Sequence, residues 1–269
     1  MAIIMLAMEE MKEALAWNYG KGIDAQSAAD ITTIVMQKLQ ENGIRVNEQT
    51  ATAVMTAALG TEPSPEKKAR FEEIHKMIEE VPKFGNDIPD VDYFARDVAY
   101  TYTRPLQKYM NPRGGHYQAG LYPVSANVLF GKDVGALPDG RLAKKPLADG
   151  CSPRAGKDVK GPTAAAASVA KLDHEVASNG TLYNQKFLPS AVAGDQGLMN
   201  FAAVIRSYFE KKGMHVQFNV VDKETLLDAQ AHPENYKDLV VRVAGYSAMF
   251  TELAKEVQDD IISRTEQHF

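Results

Sequence analysis

The sequence predicts an α/β fold with a helical N-terminal segment, and three observations carry that expectation. Apolar residues recur at helical spacing near the start of the chain. Strand-like and helix-like segments alternate through its last third. The composition, 45% hydrophobic and 24% charged over 269 residues, is that of a globular protein rather than a disordered, collagen-like or coiled-coil chain. The length suits one large domain or two closely packed ones, with a sizeable core.

Each element has its own local reason. From Ile3 to Leu15 apolar residues at 3, 4, 7, 8, 11 and 15 line one helical face, and Gly20 and Gly22 stop the pattern. Asp24 and Asn47 are N-cap residues for two further helices ending near Gly43 and Gly60. Ile31, Ile34, Val35 and Leu39 make an apolar stripe on the first of these, read as core packing in preference to a docking face. Pro65 sits in the first turn of a helix running to about Glu80, and the charges of Thr61 to Glu80 form its solvated face. Between Asn111 and Gly161 glycine and proline recur every few residues, which predicts a long functional loop region. A small-residue helix follows from Ala164 to Leu172. Then come a strand at Thr181 to Phe187, a helix at Leu198 to Lys211, a strand at Met214 to Val221, a helix at Lys223 to Ala231, a strand at Leu239 to Ala244 and an amphipathic helix at Ala248 to Ser263. Strands separated by helices predict parallel pairing.

Charge and cysteine usage narrow the function classes. The 30 Lys and Arg are scattered and outnumbered by 35 Asp and Glu, for a net charge of −5, so no nucleic-acid partner is expected. Cys151 is the only cysteine, which excludes an intramolecular disulfide and fits a reducing cytoplasm. The apolar opening from Met1 to Met8 runs straight into Glu9 and Glu10 without a basic start, so no signal peptide and no membrane partner is expected. Phosphate-loop, dinucleotide, hydrolase-elbow and zinc-protease motifs are absent, and the six histidines stand apart from one another. No metal is assigned.

Two local signals remain. Gly161-Pro162-Thr163 before a small-residue helix reads as a proline helix start rather than an anion cradle. In Val241-Arg242-Val243-Ala244-Gly245-Tyr246-Ser247-Ala248 a hydrophobic strand meets a glycine, and by local rules Gly245 is a tight strand-to-helix turn.

The stretch Arg242 to Ala248 closely resembles the signature of the glycyl radical enzymes, the pyruvate formate-lyase-like family. Gly135-Ala136-Leu137-Pro138-Asp139-Gly140-Arg141, Gly161-Pro162-Thr163-Ala164, Ser168 to His174 and His215-Val216-Gln217-Phe218-Asn219-Val220-Val221 resemble further C-terminal landmarks of that family in the same order. The likeness runs from about Pro82 to the end and is weaker over Asp24 to Ser64. It implies the C-terminal part of an α/β barrel enzyme, with residues 1–130 the end of the barrel domain and 131–269 a glycine radical domain. Gly120 to Val128 and Asn184 to Ala191 resemble the eliminating branch, which includes B12-independent glycerol and propane-1,2-diol dehydratases and choline trimethylamine-lyase.

The family chemistry explains a glycine at the centre. A radical at Cα is stabilised by the flanking amide nitrogen and carbonyl, and only a residue without Cβ becomes planar there without steric conflict. The resemblance implies that a radical S-adenosylmethionine activase installs the radical on Gly245 and that burial guards it from oxygen. It also implies that Tyr122, Phe187 and Pro189 shape the substrate cavity, and that Arg242 and Tyr246 support the loop. The family's thiyl cysteine and general base occupy a Gly-Cys-x-Glu loop, and this sequence holds no such motif. Cys151, in Asp149-Gly150-Cys151-Ser152-Pro153, lacks the following acid and reads as a packed thiol. The expected partners are therefore the activase, an upstream cysteine-loop portion or chain of the lyase, a small-molecule substrate and further copies of the same chain. Some relatives work inside bacterial microcompartments. A radical-carrying accessory subunit is the alternative reading.

Overall fold

The computed structural model describes residues 65–269, together with Gln37 and Gln40, which are helical. The expectations for Ile3 to Leu15, for the helices capped by Asp24 and Asn47, and for the stripe from Ile31 to Leu39 lie outside the described residues. The chain divides into two compact units, residues 1–81 with 131–145, and residues 82–130 with 146–269.

In the first unit, helix α1 spans Pro65–Glu80, with proline in the first turn where its missing N–H costs nothing. Glycine and proline in the turn from Leu137 to Arg141 let the chain wrap the Arg141 guanidinium. That group donates to the carbonyls of Val134 at 3.0 Å, Lys145 at 2.5 Å and Leu142 at 3.2 Å, and also to Gly135. The Gly135 to Arg141 landmark is thus a buried arginine satisfying loop carbonyls that no ladder reaches. Nearby, His75 Nε2 lies 2.9 Å from the Gly140 carbonyl.

The second unit holds the α/β core. Helices α2 (Pro89–Leu106) and α4 (Pro162–Ala170) begin at prolines, and α3 (Ala126–Asp133) lies between them in sequence. Strand β1 (Asn184–Phe187) is followed by a 3-10 turn at Pro189–Val192 and helix α5 (Gly194–Glu210). Strand β2 (Gln217–Val220) and helix α6 (Lys223–Ala231) come next, the latter capped by Asp222, whose side chain accepts from the Thr225 N–H at 2.6 Å. Strands β3 (Val240–Arg242) and β4 (Ser247–Met249) precede helix α7 (Lys255–Ser263) and strand β5 (Glu266–Gln267).

The predicted parallel pairing is present between β1 and β2, with Asn184 opposite Gln217 and Phe187 opposite Val220. The third parallel partner is β5, giving the order β2-β1-β5. Two expectations are corrected here. The strand ending near Ala244 does not join this sheet but folds back on β4 as an antiparallel hairpin, Arg242 opposite Ser247. The segment from Ala248, read as one helix, opens instead with β4 and a 3-10 turn at Phe250–Glu252 before α7. The helical spacing of its apolar residues hid the switch, because three residues of strand give too short a window for a period.

Two apolar clusters fix these elements. Small residues Ala165, Ala166, Val169 and Ala170 let α4 approach Tyr183, Val204 and Tyr208 closely. Val221, Leu226, Val241, Val243, Phe250 and Ile261 bury the hairpin's inner face against α6 and α7. Asp158 anchors β5 from below: the Thr265 hydroxyl and the Gln267 amide, the latter at 2.6 Å, both donate to its carboxylate. Burial nevertheless pushes this carboxyl up to about 6, against the pull of those donors. The folded state therefore holds a proton that the unfolded chain releases above about pH 4, so this contribution is full below that pH and is lost as pH rises to 6. The parent is expected to lose on the order of 3 kcal/mol of stability as pH rises from below 4 through 6, and Asp158→Asn, which does not titrate, should lack that pH dependence. Urea midpoints measured across that range check it.

Candidate functional site

Gly245 sits at the tip of the β3-β4 hairpin with φ +85°, a conformation that costs an L-residue with a Cβ about 1–2 kcal/mol. The tip closes through the Val243 N–H, which donates to the Tyr246 carbonyl at 2.9 Å. Gly245 is therefore a hairpin turn, not the strand-to-helix turn that local rules predict. An added Cβ would meet only Leu182 Cδ1, at 3.6 Å, so space is not what selects glycine here.

Below the tip lies a row of side-chain amides. The Gln217 Oε1 accepts from the Gly245 N–H at 3.2 Å and from Arg242 Nε and Nη2 at 3.2 and 2.9 Å. Its Nε2 donates to Asn184 Oδ1, and Asn184 Nδ2 donates to Asp149 and to the Val243 carbonyl. Asn219 grips the backbone of Arg242 at both ends, accepting from its N–H and donating to its carbonyl, each at 2.8 Å. Asp149 and Asp260 share Arg264, at 3.3 and 3.1 Å. These groups are all buried or half-buried.

A cleft of about 330 Å³ opens beside the tip, lined by Tyr122, Val124, Thr181, Leu182, His215, Ala244, Gly245 and Tyr246. Leu121 and Thr181 form a parallel bridge that sets Tyr122 in place, and the Tyr122 hydroxyl accepts from Asn179 at 2.8 Å. Gly150 permits this convergence, because a Cβ there would lie 2.5 Å from the Leu182 carbonyl. The His215 imidazole is held below its usual pKa by burial and by Arg242. At neutral pH it is uncharged, accepting at Nδ1 from the Tyr183 N–H at 3.4 Å.

The structure brings together Tyr122, Tyr246 and Gly245 on one cleft, with Arg242 beneath the tip. It does not bring Phe187 or Pro189 there. Phe187 is fully buried against the rings of Phe201, Phe218 and Phe269, and Pro189 is exposed at the start of a 3-10 turn. Gly245 itself is exposed in this chain, which differs from the burial the resemblance implies. Sequence reasoning missed Asn184, Gln217, Asn219 and His215 as site residues. The available signal was polar residues at alternate positions of a strand, 217 and 219, where period two places both on the face toward the hairpin.

Cys151 is buried, its Sγ 3.8 Å from the Leu121 carbonyl, and burial pushes the thiol up to about 12. It is expected to resist iodoacetamide at pH 8 until the chain is unfolded, as mass analysis of alkylation would read. Among the described residues no group of His, Cys, Asp and Glu is arranged to hold a metal, and no helix is long and apolar enough to cross a membrane.

Comparison with known proteins meets this geometry. Two family models match, pyruvate formate lyase-like over residues 5–131 and glycine radical over residues 147–251. A solved structure concerned with 1,2-propanediol dehydration in Roseburia inulinivorans is 58% identical over 96% of this chain and 31% of its own, at a TM-score of 0.85. The glycerol-bound B12-independent glycerol dehydratase from Clostridium butyricum is 52% identical over 90% of this chain and 29% of its own, at a TM-score of 0.73. Trans-4-hydroxy-L-proline dehydratase of Clostridioides difficile is 44% identical over 200 residues, 74% of this chain and 25% of that protein. The chain thus spans less than a third of the length of these relatives. It belongs to the glycyl radical enzymes of the pyruvate formate-lyase-like family, and corresponds to their C-terminal, glycine-radical-bearing portion.

Proposed function

We propose that this chain is the radical-bearing part of a glycyl radical lyase that eliminates water from a small polyol such as glycerol or propane-1,2-diol. Residues 1–130 would be the end of the barrel domain and 131–269 the glycine radical domain. The single observation that carries the reading is Gly245 at a hairpin tip, on one cleft with Tyr122 and Tyr246. The substrate class rests on two similar solved structures, one concerned with propanediol dehydration and one a glycerol dehydratase, at 58% and 52% identity.

In this reading an activase-generated radical, formed from S-adenosylmethionine, takes one hydrogen atom from Gly245 Cα. The unpaired electron stays on that carbon. Gly245 later takes a hydrogen atom from a cysteine thiol of the cysteine-loop portion; the thiyl so left takes one from a substrate C–H, the substrate radical loses water, and the product radical takes the hydrogen atom back from the thiol. Tyr122 presents a hydroxyl to the substrate side, and Arg242 and Tyr246 hold the tip. Phe187 supports the strand behind the cleft, and Pro189 belongs to a cavity wall completed by other parts of the lyase. Choline trimethylamine-lyase chemistry differs only in the leaving group. The exposure of Gly245 favours a second reading, an accessory subunit that lends its radical hairpin to another polypeptide. Both readings suit a cytoplasmic, anaerobic protein, free or within a bacterial microcompartment.

Anaerobic incubation with an activase, S-adenosylmethionine and reductant, with and without the cysteine-loop portion, tests the proposal by electron paramagnetic resonance. The expected result is a glycine-centred doublet, followed on brief exposure to air by cleavage at Gly245. No signal with both components present would overturn it. Turnover of propane-1,2-diol or glycerol by the radical-bearing complex separates the lyase from the accessory reading.

A further inference from the structure

We propose that Gln217 is the positioning residue for Gly245, and that its orientation is dictated through Asn184 by Asp149. Hydrogen-bond polarity sets the direction of the row. An ionised carboxylate only accepts and a guanidinium only donates, whereas an amide does either, depending on which way it faces. Asp149 accepts, so Asn184 must turn its Nδ2 toward it. Asn184 Oδ1 then faces Gln217 and accepts from Nε2. That leaves Gln217 Oε1 facing the Arg242 guanidinium and the Gly245 N–H, both of which donate. Flipping either amide would set donor against donor at one end and acceptor against acceptor at the other. The row has one consistent direction, from an acceptor-only group in the core to the backbone nitrogen at the tip.

Arg242, expected to support the loop, acts on it through the same Gln217 oxygen. The importance of the contact rests on the reading of Gly245 given above. The amide nitrogen shares the spin of a Cα radical, and an acceptor on its N–H increases the electron density the nitrogen donates. The Gln217 oxygen therefore sets both where Gly245 stands and how its nitrogen is polarised.

Three variants of the full chain test this. Gln217→Leu removes the acceptor, Gln217→Asn draws it back by one methylene while keeping the amide, and Gln217→Glu keeps the acceptor toward Gly245 but removes the donor to Asn184 Oδ1. Amide hydrogen exchange at Gly245 is expected to quicken roughly five- to tenfold in the first two, the fold-change equivalent to one net hydrogen bond. At Gly245 Gln217→Glu should stay nearer the parent, but its second oxygen faces Asn184 Oδ1, acceptor against acceptor, so it is expected to lower the urea midpoint; the β1-β2 amides should stay protected in the other two. Should Gln217→Leu not fold, the contrast between Gln217→Asn and Gln217→Glu decides. In activated samples, the coupling of the unpaired electron to the Gly245 N–H proton should change in Gln217→Asn and be restored in Gln217→Glu. Unchanged exchange at Gly245 in a folded Gln217→Asn protein overturns the proposal. A parent chain that forms no radical overturns the reading of Gly245 instead, and leaves the exchange result to decide the role of Gln217.

Discussion

Gly245→Ala is expected to abolish the radical outright while leaving a folded protein. The two halves of that expectation come from different measurements on the structure. The φ of +85° carries a modest cost for alanine, about 1–2 kcal/mol, which at this chain length lowers the melting temperature by only a few degrees. The new methyl would meet Leu182 Cδ1 at 3.6 Å, an ordinary contact. Nothing in the packing forbids the substitution, so what is lost is chemical: a Cα carrying a methyl group cannot flatten between its two amides without conflict, and it presents a different C–H to the activase. Circular dichroism should give the parent's trace, and electron paramagnetic resonance should give no signal. A backbone radical persisting in this variant would place the spin elsewhere and sink the assignment.

The largest expected effect on stability lies at Arg264. Its guanidinium is buried between Asp149 and Asp260, and a weak bond at 3.4 Å reaches the Arg242 carbonyl. Burial already pushes the Asp260 carboxyl upward, with Arg264 and Asn127 pulling the other way. Arg264→Ala would strand two buried carboxylates, and breaking such a set costs about 3–5 kcal/mol. Arg264→Lys should recover only part, because a point charge does not reproduce the fork. The exposed pair of Arg70 with Glu73 at 2.7 Å is the control, where removing the arginine is expected to change stability by under about 1 kcal/mol. Urea denaturation at constant slope reads all three. The Arg264 variants should also loosen the hairpin, since Asp149 directs the amides beneath it.

Much of the fold is legible from local rules, and its failures have a common cause. Pro65 and Pro162 mark helix starts by chemistry that acts within one turn, and the β1-β2 pair follows from strand-helix-strand order. The hairpin escapes because β4 is three residues long and its apolar residues fit the helix that follows. For the site, Gly245 is legible through the resemblance, and Tyr122 reaches the same cleft. Gln217, Asn184 and Asn219 are not, because a buried amide in a sequence looks like any other amide until its partners are known. Phe187 shows the converse: an aromatic in a recognisable stretch, placed in the core by its three ring neighbours.

Asn219 holds Arg242 by its backbone N–H and carbonyl rather than by its side chain. A grip on the main chain is blind to residue type, so it leaves the Arg242 side chain free to serve Gln217, and the exposed Val240 side chain beside it carries none of the clasp. Asn219 carries all of it, since one substitution there releases both ends of the clasp together.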